Sequence, residues 1–427
     1  MATTYASPSG LSIEDVEFWR RPLSVRMADF AGLREQGAII PGRIPDTEFG
    51  PGTSFYSVIR HAELCEISRK PQIFCSGRGS TALQDLPMEA VEYFGSFIAM
   101  DDPRHARQRL VVGSAFTPRR LATLVDSVEK ICSELIDEMC EMGEVDLVQA
   151  LSEPFPLLVI CDMMGIPRSE FKTVLEATSV ILGAGDSEVL QGRDPFTALL
   201  EAGATLTALM DELAAARQKN PTDDLTSALV HAEVDGQRLA PEELGPFFIL
   251  LAVAGNDTTR TATSMGMHIL GEHPDQRKIW QDDIEGVSST AVDEIVRYAS
   301  PVVFMRRTAT EPVVIDDEQY QEGDKFILFY GAANRDPLVF DDPERFDVRR
   351  SPNPHVGFGG PGPHFCLGAH LARRELGIAF RQLFERVPDI HPVSEPDYLV
   401  PGFGFPLVSG VKHLRVEFTP TAPVGKT

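Results

Sequence analysis

One cysteine of the chain, Cys366, lies in the glycine- and proline-rich segment GFGGPGPHFCLG at 357–368. The glycines match the spacing of a dinucleotide-binding loop, but SPNPH precedes them where such a loop needs a strand, so we reject a nucleotide site. A cysteine at the start of a helix is favoured as a thiolate by the N–H groups and the partial positive charge there. Gly368 leaves room for a flat ligand beside the sulfur. The segment therefore predicts one thiolate ligand to haem iron.

The segment AVAGNDTTR at 252–260 is a second candidate for chemistry. Gly255 weakens a helix interior, and the hydroxyl of Thr258 can bond back to the carbonyl of Ala254. Asp257 is an acid in an otherwise apolar stretch and needs partners if it is buried. Either a polar stripe simply begins here, or a local kink makes room for dioxygen. Beside a haem loop we favour the second interpretation, in which Asp257 and Thr258 pass protons.

Other charged residues fit a cofactor with two propionates. His105 and Arg109 are one helical turn apart, and Arg307 and His364 add two more basic groups. Separately, Glu294 and Arg297 form an i,i+3 pair, which on a helix is usually a surface feature. Arg345 in the segment PERF can complete a buried Glu–Arg–Arg cluster with them, and we predict that it does.

The elements that position these residues are mostly helical. We predict helices from Thr117 to Gly143, from Pro241 to about Gly271, over AVDEIVRYA before Pro301, and from Leu367 to about Val387. Strands are predicted at 54–60, 313–315, 325–330 and 413–418. Helices dominate, so the fold class is mainly α with small sheets. Since no linker or repeat divides the chain, we expect one domain over 1–427 with loose ends at 1–10 and 421–427.

Composition excludes several function classes. Lys and Arg number 39 against 63 Asp and Glu, a net charge of −24, which argues against nucleic-acid binding and against docking on an anionic membrane. The longest apolar run, 247–254, is eight residues long, far short of a membrane span. No signal-peptide pattern opens the chain, and no cysteine pair has C-x-x-C spacing. We read the other five cysteines as reduced core residues and expect a cytoplasmic protein.

Three motifs in order resemble those of the cytochrome P-450 family. A-G-N-D-T at 254–258 resembles its oxygen-binding helix, E-I-V-R at 294–297 its Glu-x-x-Arg pair, and F-G-G-P-G-P-H-F-C-L-G at 358–368 its haem loop. The likeness covers about residues 30–418. Phe358 is eight residues before Cys366, whereas the commonest family pattern has seven. That insertion, with segments such as YFGSFIAMDDPRHARQRL, is similar to an actinobacterial group of methyl-branched lipid ω-hydroxylases and cholesterol side-chain hydroxylases.

The resemblance implies a cytochrome P-450 fold, a large helical domain with small sheets around a buried haem. It implies haem b (iron protoporphyrin IX) with Cys366 as axial thiolate, bordered by Ala254, Gly255, Phe358 and Gly359. The implied activity is a monooxygenase that uses O2 and electrons from a ferredoxin and its reductase. The implied substrate is the terminal methyl of a methyl-branched lipid, an isoprenoid or a cholesterol or cholestenone side chain.

Two residue sets are expected to support that activity. The predicted substrate walls are Phe97, Ile98, Ile249, Leu250, Val253, Val302, Val303, Phe304 and Phe403, each of which can equally be ordinary core. The predicted ferredoxin-docking patch is Arg104, Arg107, Arg109, Arg119, Arg120, Arg373 and Arg374, which can equally be solvated surface charge. Three alternatives stay open: another small hydrophobic or terpenoid substrate, a non-catalytic haem-thiolate sensor, and a peroxygenase that needs no redox partner.

Overall fold

The computed structural model describes residues 12–44, 52–85, 88–116, 124–183, 185–399 and 406–425, and within them the chain is mainly α. The helices are α1 (Val16–Trp19), α2 (Leu23–Arg34), α3 (His61–Ser68), α4 (Met88–Gly95), α5 (Arg104–Ala115), α6 (Val125–Met139), α7 (Pro154–Met164), α8 (Phe171–Leu182), α9 (Ser187–Leu190), α10 (Pro195–Lys219), α11 (Leu225–His231), α12 (Pro241–Glu272), α13 (Pro274–Asp282), α14 (Ile284–Ala299), α15 (Tyr330–Ala333) and α16 (Ala369–Arg386). A π-helical turn, Val148–Ser152, leads into α7.

Twelve short strands in the described residues form four small sheets. They are β1 (Ile39–Ile44), β2 (Thr53–Val58), β3 (Phe74–Cys75), β4 (Glu144–Asp146), β5 (Phe304–Ala309), β6 (Val313–Ile315), β7 (Glu318–Tyr320), β8 (Lys325–Phe329), β9 (His391–Pro392), β10 (Asp397–Tyr398), β11 (Val411–His413) and β12 (Arg415–Glu417). The largest sheet has the order β1-β2-β8-β5-β3, in which only β2 and β8 pair in parallel. The others are β4-β12-β9, β6-β7 and β10-β11.

Helix α12 runs through the middle of the main core. Pro241 occupies its first turn, where a missing N–H costs nothing, and the N–H of Ala240 donates to Oε2 of Glu243 at 2.8 Å. Buried residues follow on nearly every side, from Leu244 to Leu270, as expected of a helix enclosed by other helices. The predicted helix over 241–271 is confirmed.

Most other predicted elements are also confirmed, with small shifts at their ends. The predicted helix before Pro301 is α14, and the one predicted from Leu367 is α16. Strand predictions at 54–60, 313–315 and 325–330 match β2, β6 and β8, but the predicted strand at 413–418 is split into β11 and β12. The predicted helix start at Thr117 and Pro118 lies outside the described residues, and the described part of that helix ends at Met139 rather than at Gly143.

The Glu294–Arg297 pair of α14 is fully buried, so the surface alternative is wrong. The Arg297 guanidinium donates to both Glu294 oxygens, at 2.7 and 2.8 Å, and to the carbonyls of Asn334 and Pro343. The third member predicted for this cluster, Arg345, is also wrong. Its side chain is 61% exposed, whereas Arg350 donates to Glu294 at 3.1 Å. The backbone explains this, because the Arg345 carbonyl accepts from Arg297 and is therefore turned inward while its side chain is turned out.

No helix in the described parts of the chain combines the length and the apolar character that crossing a bilayer requires.

Candidate active site

The loop that carries Cys366 is held by its own backbone and pressed against α3. The N–H of Cys366 donates to the carbonyl of Phe358 at 2.9 Å, which closes the loop, and Gly359 turns it with a φ of +93°. A Cβ at Gly362 would lie 2.2 Å from the backbone oxygen of Ser68. The glycines therefore serve a close approach between two backbones, which is a physical reason for them that requires no nucleotide.

Cys366 differs from the other five cysteines, since they are buried and its side chain is exposed. Protein nevertheless surrounds the sulfur: desolvation raises the pKa of the Cys366 thiol, opposed by N–H groups of Gly368 and Ala369 and by the charges of Arg109 and Arg373. The two observations together describe a recess, reachable by a small molecule and walled by protein. A cation bonded to the sulfur would stabilise the thiolate there.

Four basic side chains gather beside this recess. The rings of His105 and His364 are 4.1 Å apart, and Arg109 donates to the carbonyl of Phe365. Burial, reinforced by the charge of Arg307 and by His105 and Arg109, lowers the pKa of His364 to about 2. Burial also lowers the pKa values of His105, Arg109 and Arg307. All four predicted basic residues are thus brought together.

The donor set fits the two propionates of haem. Nε2 of His105 is buried and has no hydrogen-bond partner among the described residues, and Nδ1 lies 3.4 Å from Asp102. Nε2 of His364 lies 3.1 Å from Oγ of Ser76. On the sulfur side, a Cβ at Gly368 would be 4.0 Å from Sγ of Cys366, with no closer contact, so the glycine leaves that face bare. Anionic oxygens beside the basic cluster would relieve the mutual repulsion of its members.

The middle of α12 supplies the second predicted pair. Oγ1 of Thr258 donates to the carbonyl of Ala254 at 2.7 Å, as predicted, and both residues are at least partly accessible. Asp257 is buried, and its carboxylate accepts a charged hydrogen bond from Arg260, one turn further along α12. Burial raises the pKa of Asp257, and Arg260 opposes that shift. A Cβ at Gly255 would lie 2.8 Å from Cδ1 of Ile160, so this glycine lets α7 approach.

The apolar residues predicted as substrate walls separate into two groups. Ile98, Leu250, Val253 and Val302 are partly accessible, and two of these lie on the same face of α12 as Ala254 and Thr258. Four others belong to hydrophobic cores: Phe97, Ile249, Val303 and Phe304. Val303 and Phe304 both pack in the cluster that contains Trp19, Phe30 and Phe329, which agrees with the core alternative for these two residues. Phe403 lies outside the described residues.

The predicted docking arginines are mostly engaged with carboxylates. Arg104 pairs with Glu92, Arg107 with Glu243, and Arg373 with Asp293. The Arg373 guanidinium carbon also lies 4.4 Å from the ring centre of Phe358, so it supports the cysteine loop. Arg374 is exposed, while Arg119 and Arg120 lie outside the described residues. The positive charge of this patch is therefore smaller than the sequence suggests.

Comparison with known proteins decides the family. The cytochrome P450 family model matches residues 79–388, well over half of the chain. The chain belongs to the cytochrome P450 family. This P450 is 42% identical to a methyl-branched lipid omega-hydroxylase of Mycobacterium tuberculosis, over 96% of this chain and 95% of the relative. It is 34% identical to a steroid C26-monooxygenase of Mycolicibacterium smegmatis, over 92% and 90%.

Solved structures agree with this placement. A Mycobacterium marinum cytochrome P450 in complex with pseudoionone has a TM-score of 0.87 and 38% identity, over 95% of this chain and 98% of that one. A cytochrome P450 of a Bacillus subtilis polyketide synthase has a TM-score of 0.82 and 31% identity, over 96% and 100%. The P450 fold and a monooxygenase activity with a haem-thiolate cofactor, O2 and a hydrophobic substrate follow from the family and its named hydroxylases.

Sequence reasoning missed several residues of this P450 site. Arg260 was detectable, since it lies one turn from the buried acid Asp257. Ser76, Glu153 and Arg350 were not, because each reaches its partner from a distant part of the chain.

Proposed function

We propose that this P450 hydroxylates the terminal methyl of a methyl-branched lipid or isoprenoid chain. The observation that carries the proposal is the 42% identity to a methyl-branched lipid omega-hydroxylase over nearly the whole of both chains, against 33–34% to the steroid C26-monooxygenases. The solved relative in complex with pseudoionone is further support. A cholesterol or cholestenone side chain ends in the same branched methyl group and is the next candidate.

The chain's own residues would hold haem b in a defined orientation. Cys366 would hold the iron through its thiolate, and His105, Arg109, Arg307 and His364 would bind the propionates. Bound there, haem supplies the oxygen chemistry, in which substrate, O2, two electrons and two protons yield the alcohol and water. Desolvation raises the pKa of the Cys366 thiol, and Arg109, Arg373 and the N–H groups of Gly368 and Ala369 oppose that shift, so bound iron would complete the stabilisation of the thiolate.

Asp257 and Thr258 would bring those protons to the reaction side of the site. Thr258 is accessible on the face that Leu250 and Val253 share, and its hydroxyl already donates within α12. Asp257 is the adjacent acid, and burial raises its pKa, so it takes up a proton more readily than an exposed aspartate.

Selectivity for the terminal methyl would come from geometry. A terminal methyl has stronger C–H bonds than the neighbouring branched carbon, so the protein must bring the methyl closer to the reacting oxygen. Ile98, Leu250, Val253 and Val302 are the partly accessible apolar residues for that purpose. Electrons would come from a ferredoxin and its reductase, with the ferredoxin on the Cys366 side, in the cytoplasm.

A spectroscopic titration tests the substrate class. Branched fatty acids, acyclic terpenoids and cholestenone-like sterols are added in turn to the ferric protein while its Soret band is recorded. We expect the branched acids and terpenoids to shift the band at lower concentration than the sterols, with an unbranched fatty acid of equal length as matched control. If no compound shifts the band, the substrate proposal fails. The haem proposal fails separately, if the reduced protein under carbon monoxide lacks the thiolate-haem absorption or Cys366→Ser retains it.

A further inference from the structure

A line of three charged residues joins Asp257 to the start of α7. Arg260 donates to Oδ1 of Asp257 through Nη2 and to Oε1 of Glu153 through Nη1, the latter at 2.9 Å. The exposed fraction of the side chain is 21% for Glu153, 5% for Arg260 and 3% for Asp257. The line therefore runs from a partly accessible carboxylate to a buried one.

Two carboxylates share one positive charge in this arrangement. A guanidinium does not release its proton in proteins, so Arg260 acts by charge and hydrogen bonding and does not carry a proton itself. The effect of the Arg260 charge on Asp257 depends on whether Glu153 also neutralises that charge. With Glu153 ionised, Asp257 retains more of its tendency to be protonated; without Glu153, the whole charge of Arg260 would hold Asp257 as a carboxylate.

We propose that Glu153 and Arg260 are positioning residues that set how readily Asp257 binds and releases a proton. The proposal rests on the role given above to Asp257 and adds the residues that tune it. Removal of Glu153 makes Asp257 harder to protonate, and removal of Arg260 makes it easier. The two substitutions therefore act in opposite directions, which a general loss of packing would not produce.

The surroundings leave few other charges to act on Asp257. A Cβ at Gly410 would lie 3.3 Å from Nη2 of Arg260 and 3.5 Å from Oδ1 of Asp257, so bare backbone covers the pair on that side. Several charged groups on the elements packed against α12 are engaged with other partners: Asp162 of α7 with Ser127, Lys172 of α8 with Glu176, Arg217 of α10 with Asp224, Lys412 and His413 of β11 with Glu188 and Asp146, and His391 of β9 with the carbonyl of Asp389. Glu375 of α16 faces Thr259, on another side of α12. The π-helical turn 148–152 contributes no titratable side chain.

The test compares holoenzyme variants by how much of the consumed reductant appears as product and how much as hydrogen peroxide, across a range of pH. For Glu153→Gln we expect the pH profile of this coupling to move toward acid by about one unit, a tenfold change in proton affinity. For Arg260→Gln we expect a move toward alkali. Glu134→Gln is the matched control, because Glu134 lies on α6, has a side chain that is 24% exposed, and pairs with Arg168 at 3.3 Å.

A second readout does not depend on turnover. The infrared carbonyl band of a protonated carboxyl group is titrated with pH in the holoprotein, and the contribution of Asp257 is identified by its loss in Asp257→Asn. Its midpoint should fall in Glu153→Gln, rise in Arg260→Gln and return toward the wild-type value in Glu153→Asp, which keeps the charge. Turnover driven by hydrogen peroxide, which brings its own protons, should change less than turnover driven by reductant.

The outcomes separate the two proposals. An unchanged or alkaline-shifted midpoint in Glu153→Gln overturns the role of Glu153, as does the absence of any band that depends on Asp257. Failure of every branched lipid to bind leaves the infrared result intact and overturns only the substrate class.

Discussion

At the scale of single residues, Glu375 is the clearest buried acid without a cationic partner in the part of the chain that the structure describes. It lies on α16, is 2% exposed, and one of its oxygens, Oε2, lies 3.4 Å from Oγ1 of Thr259. The other oxygen has no hydrogen-bond partner among the described residues. Burial raises the pKa of Glu375 from 4.5 to about 8. The folded protein therefore keeps a proton on Glu375 at a pH where the unfolded chain has released it.

The higher pKa of Glu375 in the folded protein makes the stability of the protein depend on pH in a definite direction. Because the folded pKa is raised, the stability contributed by the neutral acid is lost as the pH rises through the window from about 5 to about 8, at roughly 1.4 kcal/mol per pH unit. Glu375→Gln stays neutral and should lose less stability over that window than the wild type. The measurement is the unfolding midpoint of both proteins at several pH values. Glu385→Gln, an exposed position on the same helix, is the control. Parallel curves for wild type and Glu375→Gln would contradict the expectation.

Residues differ in how far the sequence predicts them. Cys366, His105, Arg109 and His364 stand in local patterns, and the structure brings the basic three together beside the cysteine loop. Arg345 was misassigned because a motif specifies a residue type near a site but not which way its side chain turns. In this chain Arg350 makes that contact, and no local spacing marks it.

At the scale of elements, two oppositely charged pairs that are each about one helical turn apart have different consequences. On α14, Glu294 and Arg297 are fully buried, and Glu294 also accepts from the N–H of Asp347 at 2.9 Å. On α13, Lys278 and Asp282 form an i,i+4 pair with both side chains largely exposed. Burial decides the energetics, because a buried ion whose partner is removed keeps its desolvation cost.

Removing one carboxylate from each of the two pairs tests the effect of burial directly. Glu294→Ala leaves Arg297 and Arg350 facing one another without their carboxylate, and we expect it to lower the free energy of unfolding by about 3–5 kcal/mol or to prevent folding. Asp282→Ala should change it by less than about 0.5 kcal/mol. Denaturant unfolding of both variants against the wild type tests this. Similar small effects at the two positions would show that the α14 cluster contributes little to stability.

The elements themselves were largely predictable, since α12, α14 and α16 carry apolar periodicity with clear stop signals. The glycines of the cysteine loop were less so. A glycine is needed at position 362 because the loop lies against the backbone of Ser68, almost 300 positions earlier in the chain. A contact between such distant segments leaves no periodic pattern in the sequence.

At the scale of the whole molecule, the net charge of −24 bears on the proposal that a ferredoxin supplies the electrons, because an acidic partner would be repelled at long range. Long-range repulsion must be overcome by local positive charge near the docking point. Arg104, Arg107 and Arg373 are each paired with a carboxylate, which cancels much of their field at a distance. Arg374 is exposed beside them, eight positions after Cys366. Its exposure makes it a suitable position for testing whether positive charge in the predicted patch acts on a partner.

Arg374→Ala tests this without disturbing the cysteine loop, which Arg373 supports through Phe358. We expect turnover driven by ferredoxin to fall about two- to tenfold at low salt, with a smaller dependence on ionic strength, because exposed charges act mainly on association rates. Arg415→Ala is the control. It removes an exposed arginine of strand β12, which pairs with Glu144, and should leave the turnover and its salt dependence unchanged. Peroxide-driven turnover needs no partner and should be the same in all three proteins. If Arg374→Ala keeps the wild-type rate and the wild-type salt dependence, the ferredoxin does not use this charge.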